Sequence, residues 1–527
     1  KEITTPWEVH EGQIWKTKVD FDVSQLFLDD KMLTAARWPN ITKDWDQPDD
    51  TNGYNPTPNS FWDLNTRAEI NVEDHIDGDV EFEDSGGTHS LADLGFSVEG
   101  AMFITHGADQ RGEILSHSAG ESSFEIDPNT TSNHGANPGP GKDRHLYYLT
   151  AHLDLLDSPR EWFFDKETGE LYVWLENSKD PNNSNIQARA HLDAKYSNER
   201  VLKLKASSQI NFEGLTLYSG SFSLGDSNHI EFDNCRFLYP SHNGHILKDV
   251  LPIYGNESIG SHNLTFKNSE FAYSYGLLLD YDRWGSYNIL LENNHFHNSS
   301  IRIWGNNGGP LVMGQKNVTA IQNTVNTMGY GGLGRPGSDN HLELNYIHDI
   351  KWSWDTGGIT ANQSIDNLVI RRNWVEGNPR NGIRLDGHPG GIGHTVDHNV
   401  AFNNGRGFMF KGDQHNIHHN LAFNNGEDLV ISETKFYGYK GEGKTKDDRI
   451  GRNEGGKPKG NHLSIAHNNA ANDFSTIPII NVANKSNNSS TWIRNGVSIQ
   501  DELRDPSNLD FRPKEDSSLV DAGKPLE

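Results

Sequence analysis

The feature that most constrains the fold of this chain is a phrase repeated between about residues 209 and 470. Each copy has a short apolar alternation ending in Asn, a second apolar alternation and a polar turn. Most gaps between successive Asn residues are roughly 21 to 30 residues, the period of a structural repeat. The Asn residues assigned to the repeat are Asn234, Asn268, Asn293, Asn323, Asn345, Asn373, Asn399, Asn420 and Asn468. We therefore expect a coil with one rung per repeat and a long outer face of the kind that binds polymers.

The first half of each repeat has the pattern of a β-strand. Ile230–Asn234, Leu264–Asn268 and Ile289–Asn293 each place two apolar residues two positions apart before the Asn. A period of two predicts a strand with one buried face. Asn at the end suits a sharp bend, because it tolerates left-handed backbone conformations. Stacked on successive rungs, these Asn side chains are predicted to form a hydrogen-bonded ladder.

A second strand family is predicted after each Asn. Its members are residues 276–280, 300–304, 358–362, 382–386, 407–411 and 428–432. The residues predicted to face the core are Ile301, Ile303, Ile383, Leu385, Phe408 and Phe410, whereas those predicted on one outer face are Arg302, Trp304, Arg384, Asp386, Met409 and Lys411. Helical periodicity is nearly absent, and propeller blades would need about 40–45 residues each. A parallel β-solenoid is the natural interpretation.

The repeat divides the chain into three predicted regions. Residues 1–200 lack it and form a β-rich cap or inserted domain, in which 161–174 is predicted to be a hairpin. Residues 201–485 form the solenoid core, with a long charged loop at 434–460. Residues 486–527 drop the repeat and are expected to cap the last rung.

Composition excludes some functional classes. The formal net charge is −27 with no basic stripe, which argues against nucleic acid as a partner. No apolar stretch of about 18 residues is present, so no membrane-spanning helix is expected. The sequence begins at Lys1 rather than Met, which is interpreted as a mature secreted or periplasmic chain. The single cysteine, Cys235, is expected to be a packed small side chain.

Several segments resemble one known family. They are Ala35–Asn40, the hairpin from Trp162 to Trp174, the Asn-ended rungs, Leu509–Pro513 and Ser518–Gly523. Together they resemble right-handed parallel β-helix carbohydrate-active enzymes of the pectate-lyase-like superfamily, in particular its bacterial glycoside hydrolase branch. The resemblance implies an all-β, right-handed parallel β-helix and work on glycans. It does not choose a reaction, because the family includes hydrolases with two carboxylates and lyases that use Lys, Arg or Ca²⁺.

The densest polar constellation lies between residues 352 and 415, and it contains the candidate catalytic residues. We predict Asp386 and Asp355 as the acid and the base or nucleophile, Asp413 as a further candidate, and His388 as an acid, a base or an orienting group for Asp386. Rungs about 4.8 Å apart could bring such carboxylates to roughly 5–10 Å, a range that covers retaining and inverting glycosidases. The alternative is that these Asp residues only form turns.

Basic and aromatic residues near this constellation are predicted to bind substrate. Arg384, Lys411 and Arg302 suggest an anionic polysaccharide, sulfated or uronate-containing, because Arg makes two-pronged contacts with such groups. A solvated ladder of salt bridges is the alternative. Trp304 and Trp354 are candidate platforms for sugar rings, unless they pack inside.

Many of the 25 histidines lie beside rung Asn residues. They are His295, His341, His398, His415, His418, His419, His462 and His467. Because they recur at predicted bends, a structural role is preferred, and no metal ligand is assigned. No cofactor is expected to be required, Ca²⁺ is left open, and a monomer is expected.

The leading hypothesis is a secreted glycoside hydrolase that cleaves an anionic polysaccharide on the outer face of the solenoid. The first alternative is a polysaccharide lyase, in which Lys411, Arg384 or His388 removes the proton α to a uronate carboxyl. The second is a non-catalytic glycan-binding solenoid.

Overall fold

The structure is a computed structural model, and part of the chain is described in it. The described residues are 1–41, 68–70, 81–84, 86, 89–105, 111–127, 145–190, 200–241, 255–274, 278–280, 285–299, 311–312, 316–328, 331–350, 357–361, 365–385, 393–411, 414–431, 464–476, 491–492, 498–520 and 522. The predicted loop at 434–460 therefore lies outside the described residues.

Three long parallel sheets form a β-helix, as the repeat predicts. We call them sheets 1, 2 and 3 in the order in which the chain visits them within a rung. The strands of sheet 1 are Arg200–Lys205, Ser221–Gly225, Asn256–Ile259, Leu279–Asp280, Leu311–Val312, Leu333–Gly334, Gly357–Ala361, Asn381–Leu385, Arg406–Phe410, Glu427–Ile431 and Phe474–Thr476. The strands of sheet 2 are Ser208–Glu213, Asn228–Asp233, His262–Lys267, Tyr287–Glu292, Val318–Ile321, His341–Glu343, Val369–Arg371, Thr395–Asp397, Asn416–His418 and Ile465–His467. The strands of sheet 3 are Thr216–Tyr218, Arg236–Leu238, Glu270–Ser274, His295–Ser299, Thr324–Met328, Tyr346–Ile350, Trp374–Glu376, Val400–Phe402, Leu421–Phe423, Asn469–Ala471 and Thr491–Trp492.

The core of the β-helix runs along its axis and is built from the inward residue of each alternation. Phe232 and Phe266 stack on successive rungs with ring centroids 5.4 Å apart and an interplanar angle of 4°. Phe237 and Phe271 stack in the same way at 4.5 Å. All four side chains are fully shielded from solvent. Parallel, in-register pairing places equivalent residues directly above one another, so the period-two pattern yields continuous stacks.

The predicted Asn ladder is present, but it comprises two adjacent columns. Asn234, Asn268 and Asn293 occupy the bend itself with φ near +52°. Asn323, Asn345, Asn373, Asn399 and Asn420 lie one position later, in a buried column that also contains Asn294 and Asn469. The prediction treated these two columns as one, because neighbouring Asn positions in different rungs look alike when rungs differ in length.

The buried column is a continuous hydrogen-bond ladder. The backbone N–H and the side-chain amide of Asn345 both donate to Oδ1 of Asn373, at 3.0 and 2.9 Å. Asn373 donates in the same way to Asn399, and each Nδ2 also donates to a backbone carbonyl, as Asn373 does to Leu342 at 2.9 Å. The bend between sheets 2 and 3 is therefore closed by amides that satisfy the backbone groups a tight turn would otherwise leave buried and unpaired.

The N-terminal region contains three further sheets. The first has strands Glu8–Glu11, Ile14–Lys18, Glu170–Trp174, Glu161–Asp165 and Thr34–Ala35. The second has Arg37–Trp38, His145–Thr150, Met102–Thr105, Arg111–Ser116, Ser123–Ile126, Glu81–Glu83 and Ala68–Ile70, and the third has Ile186–Ala190, Val23–Leu28 and Lys31–Met32. The predicted hairpin is confirmed, with Glu161–Asp165 antiparallel to Glu170–Trp174. The third sheet touches the β-helix, where Gln25 donates to the carbonyl of Ser241 and Arg189 donates to that of Pro240.

The C-terminal segment packs against the side of sheet 3. Its strands Leu503–Asp505 and Asp510–Pro513 form a small antiparallel pair. Ile499, Leu503 and Phe511 cluster with Phe402 and Phe423 on sheet 3. The described helical segments are 3₁₀ turns at Leu91–Asp93, Leu153–Leu155, Glu176–Ser178, Pro181–Asn183, Ile499–Glu502 and Pro506–Asn508. Across the residues described, none of the helical segments has the length and apolarity needed to span a bilayer.

Candidate functional site

The connections between strands are long only beside sheet 1. The turn from sheet 2 to sheet 3 takes one or two residues in every described rung, as at residues 234–235. Connections that enter or leave sheet 1 range from two residues, at 206–207, to the stretch 432–464. In repeat proteins, insertions of this kind map to loops on one face, which is often the binding face. Of the nine candidate site residues, Arg384 lies in a strand of sheet 1 and Lys411 directly follows another, and the other seven lie outside the described residues.

The central strands of sheet 1 confirm the predicted in–out alternation. Ile383, Leu385, Phe408 and Phe410 lie in the apolar core. The alternate position points away from the core, and Arg384 occupies it in the strand Asn381–Leu385.

Arg384 lies in a single column of outward positions. It pairs in register with Thr360 on one side and Met409 on the other, and Met409 pairs with Val430. Arg384 is 7% exposed, so its side chain is largely shielded from solvent. This burial argues against a solvated position for Arg384, whereas Asp386, its partner in the salt-bridge alternative, lies outside the described residues. A guanidinium stays charged when it is buried, and a buried charge must be compensated by partners, so it acts as a fixed charge.

Lys411 follows immediately after the strand Arg406–Phe410 rather than ending it. Its backbone N–H donates to the carbonyl of Leu385 at 2.9 Å, and its carbonyl contacts Nε2 of His415 at 2.9 Å. Lys411 is half-buried. The chain therefore leaves sheet 1 at Lys411, next to the end of the neighbouring strand at Leu385.

The prediction for residues 300–304 is wrong in one respect. The strand that pairs with Leu279–Asp280 is Leu311–Val312, not residues 300–304. Arg302 and Trp304 precede Leu311–Val312 in sequence and lie outside the described residues. Local alternation misled the assignment, because the connection before this strand carries an apolar alternation of its own.

The remaining candidates, Asp355, Asp386, His388, Asp413 and Trp354, also lie outside the described residues, and their roles stay predictions. In sequence, Asp386 comes directly after Leu385, and Asp413 comes two residues after Lys411. Asp355 precedes Gly357, the first residue of the strand Gly357–Ala361.

Two carboxylates on sheet 1 were missed by the sequence prediction. Glu257 and Asp280 pair in register on adjacent rungs and belong to the same outward column as Arg384. Glu257 accepts from Ser223 at 3.0 Å and forms an ion pair with Arg200 at 2.9 Å, which gives it a structural role. Asp280 is 6% exposed. The apolar run ending in Asp280 was recognised as a strand, and its outward terminal carboxylate was the signal that could have identified it.

Of the histidines predicted at bends, His398, His415 and His419 lie between strands, whereas His295, His341, His418 and His467 are terminal residues of strands and His462 lies outside the described residues. Nδ1 of the buried His394 accepts the N–H of Leu368 at 3.2 Å, and Nδ1 of His415 accepts the N–H of His394 at 3.3 Å. Burial lowers the pKa of His394 well below its usual value, so the ring is neutral and has a nitrogen that can accept. This ladder supports the bend between sheets 1 and 2.

A second histidine group lies at the bend between sheets 2 and 3. One ring nitrogen from each of His398, His418 and His419 lies within 4.8 Å of the other two. Burial lowers the pKa of both His418 and His419, so these rings are neutral at pH 7. The sequence analysis named all three residues but did not predict that they lie close together.

Comparison with known proteins agrees with the architecture. Residues 222–395 match the family model described as "Right handed beta helix region". A solved structure titled "Glycoside hydrolase" is similar at 15% identity with a TM-score of 0.51, covering 79% of this chain and 81% of that one. The structure titled "Crystal structure of pectate lyase Pel9A" aligns at 15% identity with a TM-score of 0.35, over 62% of this chain and 83% of that one. The alginate lyase AlyF-OU02 aligns at 14% identity with a TM-score of 0.29, over 52% and 67%. No curated protein matches the sequence.

The family model supplies the handedness that the sheet order alone leaves open. The other features of this fold are described above: three parallel sheets, one rung per repeat and a bend closed by amide side chains. This chain is a right-handed parallel β-helix protein, with the same fold as a solved glycoside hydrolase.

Proposed function

We propose that this protein is a carbohydrate-active enzyme that cleaves a polysaccharide along the outer face of sheet 1. The observation that carries the proposal is that, among the described rungs, long connections occur only where the chain enters or leaves this sheet, which carries Arg384 and is followed by Lys411. A row of rungs about 4.8 Å apart gives a flank along which successive sugars of a chain can lie. The solved structure with the same fold, whose title is "Glycoside hydrolase", agrees with this class.

The reaction we favour is hydrolysis by two carboxylates. Asp386 is proposed to be one of the two carboxylates, and Asp355 or Asp413 is proposed to be the other. One carboxyl group would protonate the leaving oxygen, and the other would activate water or attack the anomeric carbon. His388, two residues after Asp386, would orient that carboxylate or transfer its proton.

Arg384 supports an anionic substrate. A covered guanidinium on the outer face, one rung from Lys411, gives fixed positive charge in a chain whose net charge is −27. Carboxylate and sulfate groups are the ligands for which a guanidinium fork is best suited. Sulfated or uronate-containing polysaccharides are therefore the proposed class. Such polymers are met outside the cell or in the periplasm, which is where we propose that the protein acts.

The same two cations favour a lyase as the second candidate. Arg384 could neutralise a uronate carboxylate while Lys411, at the adjacent strand end, removes the α-proton. No cofactor is proposed for the hydrolase, whereas a lyase of this kind could also use Ca²⁺.

The test is a panel of sulfated, uronate-containing and neutral polysaccharides incubated with the full chain, with and without Ca²⁺. New reducing ends without ultraviolet absorbance indicate hydrolysis, whereas an unsaturated product that absorbs indicates elimination. Asp386→Asn is expected to reduce turnover by about 10²-fold or more while substrate binding is retained. Whichever of Asp355→Asn and Asp413→Asn also reduces turnover identifies the second carboxylate.

The matched control is Asp226→Asn. Asp226 also follows a sheet 1 strand, at the far end of the sheet, and holds a left-handed bend with φ of 47° that Asn adopts readily. It should leave turnover unchanged. If the wild-type chain binds a polysaccharide but cleaves none, the non-catalytic glycan-binding alternative is correct. If all three Asp→Asn variants retain full activity, the proposed site is wrong.

A further inference from the structure

The histidine group at the bend between sheets 2 and 3 has the geometry of a metal site. His398 and His419 hold the bend on consecutive rungs, with φ of 56° and 54°. His418 is the last residue of the strand Asn416–His418 and is 7% exposed. One nitrogen from each ring falls within 4.8 Å of the other two.

The fold itself does not require histidine at these positions. The equivalent bend residue is Asn at positions 234, 268, 293 and 468, each with φ between 52° and 53°. Those Asn side chains link rung to rung, as when Nδ2 of Asn293 donates to Oδ1 of Asn268 at 2.8 Å. Histidine at 398 and 419 replaces the amide link with two parallel rings whose centroids lie 4.9 Å apart. Between these two rungs, stacked rings therefore replace the amide-to-amide link, while Nδ2 of Asn468 in the following rung contacts Nε2 of His419 at 3.4 Å.

Asp397 fixes the orientation of one of these rings. Its Oδ2 lies 2.6 Å from Nδ1 of His398, while its Oδ1 accepts from Nε and Nη2 of Arg371, both at 3.1 Å. Asp397 is 2% exposed, so the carboxylate is held on both sides. A carboxylate bonded to one ring nitrogen leaves the other free to ligate, which is the usual arrangement behind metal-binding histidines.

The other two rings meet at their Nδ1 atoms. Nδ1 of His418 and Nδ1 of His419 are 2.9 Å apart. Two nitrogens bound to one tetrahedral ion at 2.0–2.1 Å lie about 3.4 Å apart. The Nδ1–Nδ1 distance of 2.9 Å is shorter than this value, and one nitrogen of each ring lies within 4.8 Å of the others, so ring rotations are enough to place an ion among the three.

We propose that His398, His418 and His419 bind a divalent transition-metal ion, with Asp397 as a positioning residue for His398. Three imidazole nitrogens suit Zn²⁺, Ni²⁺ or Cu²⁺, whereas Ca²⁺ and Mg²⁺ prefer oxygen ligands. The exposed side of His398 leaves room for water as a fourth ligand. The ion would join the bends of two consecutive rungs on the corner away from sheet 1, so its effect is on stability. This departs from the sequence expectation that the histidines serve only as bend residues.

The experiment uses the full chain, freed of metal with a chelator and desalted. Calorimetric titration with Zn²⁺ should give one site per chain, and thermal unfolding should shift to higher temperature with Zn²⁺ but not with Ca²⁺. His398→Asn and His419→Asn should each weaken the affinity at least about tenfold, and they introduce the residue that other rungs carry at the same bend. His418→Gln should do the same.

Two further variants separate a metal site from adventitious binding. His229→Asn replaces a bend histidine at the other edge of sheet 2, where φ is 51°, and should leave the Zn²⁺ affinity unchanged. Asp397→Asn should weaken the affinity by about 10- to 100-fold while one site per chain remains. The proposal is overturned if the wild-type chain binds neither Zn²⁺ nor Ni²⁺. It is also overturned if binding persists undiminished when His398, His418 and His419 are all replaced.

Discussion

Replacement of Asn373 by Ala tests whether the buried amide column holds the β-helix together. Asn373 is fully shielded, and its Oδ1 accepts from both the N–H and the Nδ2 of Asn345. Alanine leaves the N–H of Asn345 buried without that partner, which costs about 1–3 kcal/mol. Its own three donor contacts, to Leu342, Arg371 and Asn399, are also lost, together with the packing of the amide. We therefore expect a total loss of about 2–4 kcal/mol.

The assay is urea unfolding followed by circular dichroism, with hydrogen exchange at the amide of Asn345 as the local readout. The control is Asn268→Gly in the exposed column, where glycine tolerates the φ of 52°, and the loss should stay within about 1 kcal/mol. Asn373→Ser should recover part of the loss, because Ser269 already fills this column and accepts the N–H of Cys235 at 3.0 Å. Equal losses for Asn373→Ala and Asn268→Gly would refute the argument, since burial would then not matter.

Three further predictions follow from single contacts. Gly382→Ala should destabilise the fold by about 1–3 kcal/mol in the same urea assay, because its Cβ would lie 2.6 Å from the carbonyl oxygen of Gly407; an unchanged midpoint would contradict this. A hydrogen bond from His297, with help from a neighbouring arginine, lowers the pKa of Glu270 to about 2, so its stabilisation is complete above pH 4.5 and is lost as pH falls towards 2. Glu270→Gln should therefore flatten the acid limb of the stability–pH curve, and an identical limb would count against the pairing. Burial raises the pKa of Glu161 well above its usual value, so its contribution to stability is fully present below pH 4.5 and is lost as pH rises through the folded-state pKa. Glu161→Gln should abolish this decline when unfolding is measured from pH 4.5 upwards, and a decline of the same size would exclude Glu161 as its source.

The sequence predicts the fold class well because the pattern is local and repeated. Ile383, Leu385, Phe408 and Phe410 were placed in the core from alternation alone, and all four are buried. Period two and a bend residue that tolerates positive φ are sufficient for that prediction. Repetition over many rungs removes the ambiguity that a single short apolar run would have.

Register between rungs is what the sequence predicts less well. Residues 300–304 have the right alternation, yet the strand in that rung is Leu311–Val312. Asn293 and Asn323 look equivalent in sequence, but the first holds the bend and the second lies in the buried column. Rungs of unequal length hide a shift of one position, and in a strand one position exchanges the two faces. The covered state of Arg384 was missed for a related reason, since burial of an outward residue depends on chain that is remote in sequence.

The turns between sheets 2 and 3 are uniformly short, whereas the connections that enter and leave sheet 1 vary in length. Stability and function can therefore be tested separately in this protein. Each rung contacts chiefly its neighbours, so a change at one corner acts on the rungs above and below rather than on the whole chain. The bend at Asn373 belongs to the rung that leads into the strand of Arg384, whereas Asn294 lies several rungs earlier. If sheet 1 is the working face, Asn373→Ala should reduce both stability and turnover, and Asn294→Ala should reduce stability with a smaller effect on turnover. Equal effects on turnover would mean that the site depends on the β-helix as a whole rather than on its central rungs.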